Sequence, residues 1–594
     1  MKKLVTLIFA LSYSVIIAQV CPTNVKQKKV LLAGDSWAQY MSDDGTYNKI
    51  FDKMGHGDKI IAGRSLGSNP GANYTGTEYA ISGSEAREWA DRARYPWITN
   101  VINEITANPS IETVILCIGG NDILAAKSGG GWYKDMNLDV PGSEAALFAT
   151  IRTNTFVIIN AILAAHPNVK IVLSSYDYPN FNVNALLCGF YACPKRRDLS
   201  RDPNTALITD AELNQMMVTV ERERATWINL EPRLSFANAV GLSHYYYGDG
   251  VSAAGTLPLP IQVAPFPTNS YGGNLVRPTL RSNFRSTADP IHLNAAAYEY
   301  KIIHETVNTF MPKFRGVVTS TIFSTGGTQD GWTTGTTTGT TAVRVGDLAA
   351  GQSYKGILNF DTSSLPDDAT VNSVSLYMIR KNANLTNPFV SGSLGLPKID
   401  IKNGEFGTVS IENTDFSAQA TATDSGCFYG TVTANDYTLR IDLNAAGIAA
   451  MNKTGNTQFR ISFPNTNANA DYIDFNTGNA VVDTNILTVG LAEYMSNAKP
   501  FLDINYTPTL GVDDFTKNAI TLYPNPVKNN FAIKGLDNLN LQLEIISIQG
   551  QVVKKIENYK SDESVSIENL ANGLYFVKIN SDNLIKTIKI LKTN

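Results

Sequence analysis

The sequence predicts a multidomain protein: an α/β domain first, an all-β sandwich second and a small all-β domain last. Three observations carry this. From about Gln27 to Phe314, strand-like apolar runs alternate with helical stretches. From about Gly316 the chain becomes rich in Thr, Gly, Ser and Asn, with short alternating apolar runs. Near Val512 a third block opens, in which a strand-like run leads into Pro524-Asn525-Pro526 and further strand-like runs follow. At 594 residues the chain is also too long for one hydrophobic core.

In the first block, Lys29–Ala33, Thr113–Ile118 and Val169–Ser174 read as apolar strands. Ala86–Arg92, Glu144–Ala165 and Asp210–Thr226 read as helices. Strand, helix, strand predicts a parallel sheet covered on both faces. Chemistry in such sheets gathers at the carboxyl ends of the strands. Gly34-Asp35-Ser36 and Gly119-Gly120-Asn121-Asp122 both fall at those ends.

In the second block, Ser353–Phe360, Ser373–Ile379, Lys398–Ile401, Tyr437–Ile441, Phe459–Ser462 and Phe501–Tyr506 read as strands. Many short strands separated by turn residues predict a sandwich. Thr328–Thr341 is nearly low-complexity and reads as a loop. In the third block the strands are Ile520–Tyr523, Leu541–Ile548, Gln551–Ile556, Leu574–Ile579 and Thr587–Leu591. Gln549-Gly550 and Asn572-Gly573 read as hairpin turns.

Charge and hydropathy exclude some classes of function. The net charge is −4, so no basic field exists to attract nucleic acid. At the N-terminus, Lys2 and Lys3 precede an apolar run from Leu4 to Ile17 and then Ala18. That pattern reads as a secretory signal peptide over residues 1–18. Beyond it no apolar run reads as a membrane span, and no transmembrane anchor is expected. Of the five cysteines, Cys188 and Cys193 are close enough in sequence to bridge, and Cys117 reads as a buried thiol. The odd count leaves at least one cysteine unpaired within the chain. No His/Cys cluster has zinc spacing, and no metal or cofactor is expected.

The residues that carry chemistry are few. Ser36 follows a strand through Gly34, at a junction where backbone N–H groups and a helix dipole gather. Taken alone, it also fits a helix N-cap. A serine hydroxyl is a weak nucleophile until a base takes its proton. Among five histidines the best placed is His292, in Asp289-Pro290-Ile291-His292. Three residues apart on one turn, the Asp289 carboxylate reaches the imidazole Nδ1 and leaves Nε2 for the serine. The backbone N–H groups of Ser36 and Gly83 and the side-chain amide of Asn121 are candidate oxyanion donors. Asp122 reads as a structural hydrogen-bond partner. Ser65 competes, because Gly63-Arg64-Ser65-Leu66-Gly67 matches a nucleophile elbow. The Ser68-Asn69-Pro70-Gly71 that follows breaks the helix such an elbow needs, so Ser65 reads as a loop residue.

In that order, Gly34-Asp35-Ser36, Gly83, Gly119-Gly120-Asn121-Asp122 and Asp289-Pro290-Ile291-His292 resemble the blocks of the SGNH (GDSL-type) hydrolases. The resemblance covers residues 27–314 and implies a three-layer α/β/α fold that hydrolyses esters. It implies that Ser36 is the nucleophile, His292 the base and Asp289 its orienter, with Ser36, Gly83 and Asn121 as the oxyanion hole. Trp37 departs from the common leucine, at a packing position.

The second block, 317–507, resembles DNRLRE-type sandwiches. The match rests on Tyr354-Lys355-Gly356-Ile357-Leu358-Asn359-Phe360-Asp361 and Pro500-Phe501-Leu502-Asp503-Ile504-Asn505-Tyr506. Some members of that family bind polysaccharide, and a spacer role is the alternative. The third, 518–594, resembles the C-terminal sorting domain of the type IX secretion system. Leu522-Tyr523-Pro524-Asn525-Pro526 and Asn572-Gly573-Leu574-Tyr575-Phe576-Val577 carry that match. The expectation is a secreted or surface serine esterase handled by the type IX machinery, with an acetylated polysaccharide as the first choice of substrate. A general short-chain carboxylesterase or lipase, and a surface carbohydrate-binding protein with an inert hydrolase domain, are the alternatives.

Overall fold

The computed structural model describes residues 26–124, 143–178, 210–249, 251–253, 289, 291–309, 311–349, 351–467, 469–480, 499–508, 521–534, 541–560, 562–581 and 584–593. The signal-peptide expectation and the Cys188–Cys193 bridge lie outside these residues. The chain divides into two compact units, 1–507 and 508–594.

The first unit begins with an α/β region. Its strands are β1 (Gln27–Gly34), β2 (Lys59–Ala62), β3 (Ser65–Leu66), β4 (Ala80–Ile81), β5 (Thr113–Cys117), β6 (Lys170–Ser174) and β7 (Leu234–Ala237). They form one sheet in the order β3-β4-β1-β5-β6-β7, with β2 beside β1, and every pairing is parallel. The helices are α1 (Ser36–Asp43), α2 (Thr46–Lys53), α3 (Ala86–Ala90), α4 (Trp97–Ala107), α5 (Gly120–Leu124), α6 (Ser143–Ala165), α7 (Asp210–Thr226), α8 (Leu242–Tyr247), α9 (Ala295–Thr309) and α10 (Met311–Arg315).

Strand alternation sorts the core into two layers. Leu31, Ala33, Val114 and Leu116 face one way, onto Trp89, Trp97, Ile158 and Ile162 of α3, α4 and α6. Val30, Leu32, Ile115 and Cys117 face the other, onto Trp37, Tyr47, Phe51 and Tyr298 of α1, α2 and α9. Helices therefore cover both faces. Residues 145–165 of α6 are long and apolar enough to cross a membrane by length and composition, which corrects the sequence expectation that no such run exists. Its Ile151, Ile158, Ile159 and Ile162 are buried in the core, so its apolarity is used inside the sheet layer.

A β-rich region, 320–507, completes this unit with twelve antiparallel-paired strands among the described residues. The threonine-rich stretch forms structure where the sequence predicts a loop: Gly331–Thr333 pairs with Thr338–Gly339 and with Lys355–Ile357. Gly339 leaves room there for the Trp332 indole. The two regions are joined through buried charge. Arg440 of the β-rich region meets Asp58 at 3.2 Å, His56 Nδ1 at 2.5 Å and its own neighbour Asp442 at 3.0 Å. Arg315 of α10 forms a bidentate pair with Asp503, both contacts at 2.6 Å. Burial and the charges of Arg440, Lys59 and Arg315 push the His56 imidazole well below its ordinary value, so it is neutral in the fold.

Among the described residues the second unit has a three-stranded and a four-stranded sheet. Gln549-Gly550 makes the expected hairpin between Leu541–Ser547 and Val552–Tyr559. Asn572-Gly573 does not turn a hairpin. Gly573 opens a strand that pairs with Leu541–Ser547 and Leu584–Lys592, while the strand before it, Val565–Ser566, belongs to the other sheet.

Arg440→Ala takes the guanidinium from the His56 imidazole and from Asp58, which keeps Lys59. Removing one partner of a buried pair costs about 3–5 kcal/mol, so the urea midpoint of the full chain should fall sharply. His56 also sets a pH dependence. Unfolded, it takes a proton below about pH 6.5, while the folded site resists one. Its contribution is complete above that pH and is lost as pH falls below it, and unfolding midpoints from pH 8 to pH 5 test this.

Candidate active site

The carboxyl edge of the parallel sheet brings the sequence candidates together. Gly34 ends β1 and pairs in register with Ala80 of β4 and Cys117 of β5. Ser36, Gly83 and Asn121 therefore each lie a few residues past the ends of three adjoining strands. Gly34 has φ +135°, and a Cβ there would fall 1.8 Å from the Cys117 carbonyl oxygen. No other residue type fits. The same carbonyl accepts from the Asp35 N–H at 2.8 Å, which turns the chain sharply into α1.

Asp35, not Ser36, caps that helix: its Oδ1 accepts from Trp37 N–H at 3.0 Å. Ser36 is thus the first residue of α1 and 6% exposed. Asp35 Oδ2 accepts from the Tyr176 hydroxyl. Burial pushes the Asp35 carboxyl up to about 6, against the opposing Tyr176 and Trp37 donors and the His292 and Arg224 charges.

His292 arrives from 256 residues downstream, just before α9. Its Nε2 is 2.7 Å from Ser36 Oγ, and its Nδ1 is 2.7 Å from Asp289 Oδ2. Asp289 Oδ1 accepts from the N–H groups of Ile291 and His292, both at 3.0 Å. The turn that presents the imidazole is thereby tied to the carboxylate that orients it. Burial works to raise the Asp289 carboxyl, but His292 and the two N–H groups outweigh it and hold it below its usual value. Tyr40 packs edge-on against the imidazole, ring centroids 4.8 Å apart.

Gly83 has φ +75°, which favours glycine, and its surroundings are open to Asn69 Cβ at 3.9 Å. Asn121 donates one side-chain N–H to the Ser84 carbonyl at 3.0 Å. An amide nitrogen carries two N–H groups, so the second is available to a bound oxygen. Asp122 accepts from Ala86 N–H at 2.8 Å and ties the start of α3 to α5, the structural role the sequence suggests. Burial pushes its carboxyl up to about 7. Ser65 lies in β3, an edge strand, and donates to Asp43. It is not at a strand-to-helix elbow. Cys117 is a free buried thiol, pushed up to about 12 by burial. Among the described residues no group of three or more His, Cys, Asp or Glu is arranged to hold a metal.

Sequence reasoning missed Tyr176, Glu221 and Arg224, a buried polar set beneath this edge. Only their contacts single them out, since Tyr176 sits in a loop and the other two on a charged stretch of α7.

Residues 521–593 match the family model of a secretion system C-terminal sorting domain. The chain carries the type IX sorting signal and is exported across the outer membrane, to the surface or the medium. A stretch of 107 residues is 28% identical to the beta-agarase A of Zobellia galactanivorans, covering 18% of this chain and 19% of that one. The chain thus spans about a fifth of that relative's length. Among solved structures it is similar to the periplasmic domain of a lipopolysaccharide acetyltransferase from Salmonella Paratyphi A, at 14% identity and a TM-score of 0.24 over 48% of this chain and 85% of that one. It is also similar to a possible lipase from Chitinophaga pinensis, at 12% identity and a TM-score of 0.21 over 48% and 98%. Likenesses this loose carry no functional argument.

Asp35→Asn tests the buried charge. A carboxyl raised from 3.8 to about 6 binds its proton earlier in the folded state. Its contribution to stability is present below about pH 4 and is lost as pH rises through about 6. Relative to wild type, the variant should gain stability at pH 8 and lose that gain by pH 4, read from urea midpoints at both values.

Proposed function

We propose that this protein is an exported serine ester hydrolase of the SGNH type, with Ser36, His292 and Asp289 as its catalytic triad. The observation that carries the reading is the continuous chain of two 2.7 Å contacts, from Ser36 Oγ through the imidazole to Asp289. Asp289 selects the tautomer with the proton on Nδ1, and Nε2 is then the acceptor for the serine proton.

Ser36 Oγ attacks the ester carbonyl carbon as His292 Nε2 takes its proton. The carbonyl oxygen becomes an oxyanion. The Ser36 and Gly83 backbone N–H groups and the second Asn121 amide N–H are its donors. The tetrahedral intermediate collapses, the alcohol leaves with the proton from His292, and the acyl group remains on Ser36. Water then repeats the sequence, deprotonated by His292, and releases the acid.

For the substrate we favour an ester on a polysaccharide, an acetylated glycan first. Two features support this: the resemblance of 317–507 to a domain that accompanies carbohydrate-active enzymes, and the stretch shared with a protein named beta-agarase A. The first is an association between domains and the second rests on a relative's name, so neither is an observation of the site.

Ser36→Ala should abolish hydrolysis of p-nitrophenyl acetate, while Ser65→Ala should leave it intact. Asn121→Ala should lower kcat by about 10²–10³, the usual loss of one oxyanion donor. Wild-type activity in Ser36→Ala sinks the triad. The rate ratio between an acetylated polysaccharide and p-nitrophenyl acetate separates the glycan esterase from the general one.

A further inference from the structure

Tyr176 stands two residues past β6 and fills the space between the turn that bears Ser36 and the start of α5, which bears Asn121. On the first side its hydroxyl donates to Asp35 Oδ2, and its ring meets Trp37 edge-on at 5.2 Å. On the second, a Cβ built on Gly120 would fall 2.6 Å from the Tyr176 Cζ. Gly120 is bare because the phenol ring occupies the place its side chain would take.

Tyr176 is itself clamped from behind. Its backbone N–H donates to Glu221 Oε1 at 3.2 Å. Arg224 grips Glu221 at 2.8 and 2.9 Å and donates to the Ser174 carbonyl at 3.2 Å. The guanidinium lies 5.4 Å from the Tyr176 ring centroid. All three side chains are buried.

We infer that Tyr176 is the positioning residue of this site, holding the nucleophile turn and the oxyanion-donor end of α5 in one fixed geometry. This rests on the serine-hydrolase reading above. Asp35 needs both carboxylate oxygens satisfied: Oδ1 caps α1 and Oδ2 accepts from the phenol. Without the phenol, a buried carboxylate oxygen loses its partner, and the cap that fixes Ser36 is free to turn toward another donor. The distance from Ser36 Oγ to the oxyanion donors then loosens. A misplacement of about 1 Å at reacting atoms costs about 10²-fold.

The test uses the full chain and p-nitrophenyl acetate. Tyr176→Phe keeps the ring against Gly120 and Trp37 and removes only the hydroxyl. The expected result is a fall in kcat of about 10- to 100-fold, with KM within about twofold of wild type. Asp35→Ala and the double variant complete a cycle. Both singles remove the bond from the Tyr176 hydroxyl to Asp35, so the losses should be less than additive. Gly120→Ala pushes on the ring from the other side without deleting a hydrogen bond, and should also lower kcat. Wild-type kcat in Tyr176→Phe, additive losses in the cycle, or an unchanged kcat in Gly120→Ala each overturn the inference. If these occur while Ser36→Ala is inactive, only the role of Tyr176 falls. If Ser36→Ala is active, the serine reading falls and the inference falls with it.

Discussion

The contact on which the rest of the site depends is the close approach of Gly34 to the Cys117 carbonyl. Two parallel strands end side by side, and β1 must turn into α1 within one residue. A side chain at Gly34 would collide with backbone, which cannot give. With the glycine there, the Asp35 N–H reaches that carbonyl and the Asp35 carboxylate reaches the first turn of the helix. Ser36 is then held at the helix start, with little freedom in its backbone. The strand register does the remaining work, since the same pairing sets Gly83 and Asn121 past the neighbouring strand ends.

A buried layer of charge lies under this edge. The Asp35 and Asp122 carboxyls are both raised by burial; Asp35 accepts from the Trp37 N–H of the helix it caps and from the Tyr176 hydroxyl, and Asp122 from the Ala86 N–H of α3. In the same layer as Trp37 and Tyr176, Lys301 and Glu305 of α9 pair with Ser174 and Tyr47. These contacts anchor the helix that directly follows His292. Two of the site's carriers, the turn at Asp35 and helix α9, are thus fixed by buried polar bonds as well as by apolar packing. Such networks are costly to leave half satisfied, so they favour a single arrangement.

How much of this is legible in the sequence follows from how local each signal is. The strands β1, β5 and β6 and the helices α6 and α7 announce themselves by long apolar runs or helical composition. Ser36 and His292 are 256 residues apart, yet they, the glycines, Asn121 and Asp289 each sit in a short motif whose chemistry is recognisable alone. The helix cap is where local reading errs: Ser36 fits a cap by residue type, but Asp35 one residue earlier takes the role. The strands β3 and β4 leave no trace because two residues carry no periodicity. The stretch 328–341, rich in Thr and Gly, reads as a loop, yet it forms a hairpin whose Trp332 packs on Tyr354 of the neighbouring strand. Tyr176, Glu221 and Arg224 give no signal, since their meaning lies wholly in what the fold brings against them.

The most direct measurement is covalent trapping. Wild-type protein and the His292→Ala variant are incubated with a p-nitrophenyl alkylphosphonate, digested, and mapped by mass spectrometry. The account predicts a single phosphonylated residue, Ser36, in wild type, and a rate of modification lower by orders of magnitude without the imidazole. Modification of Ser65 or another residue in place of Ser36, or an equal rate in both proteins, would contradict it.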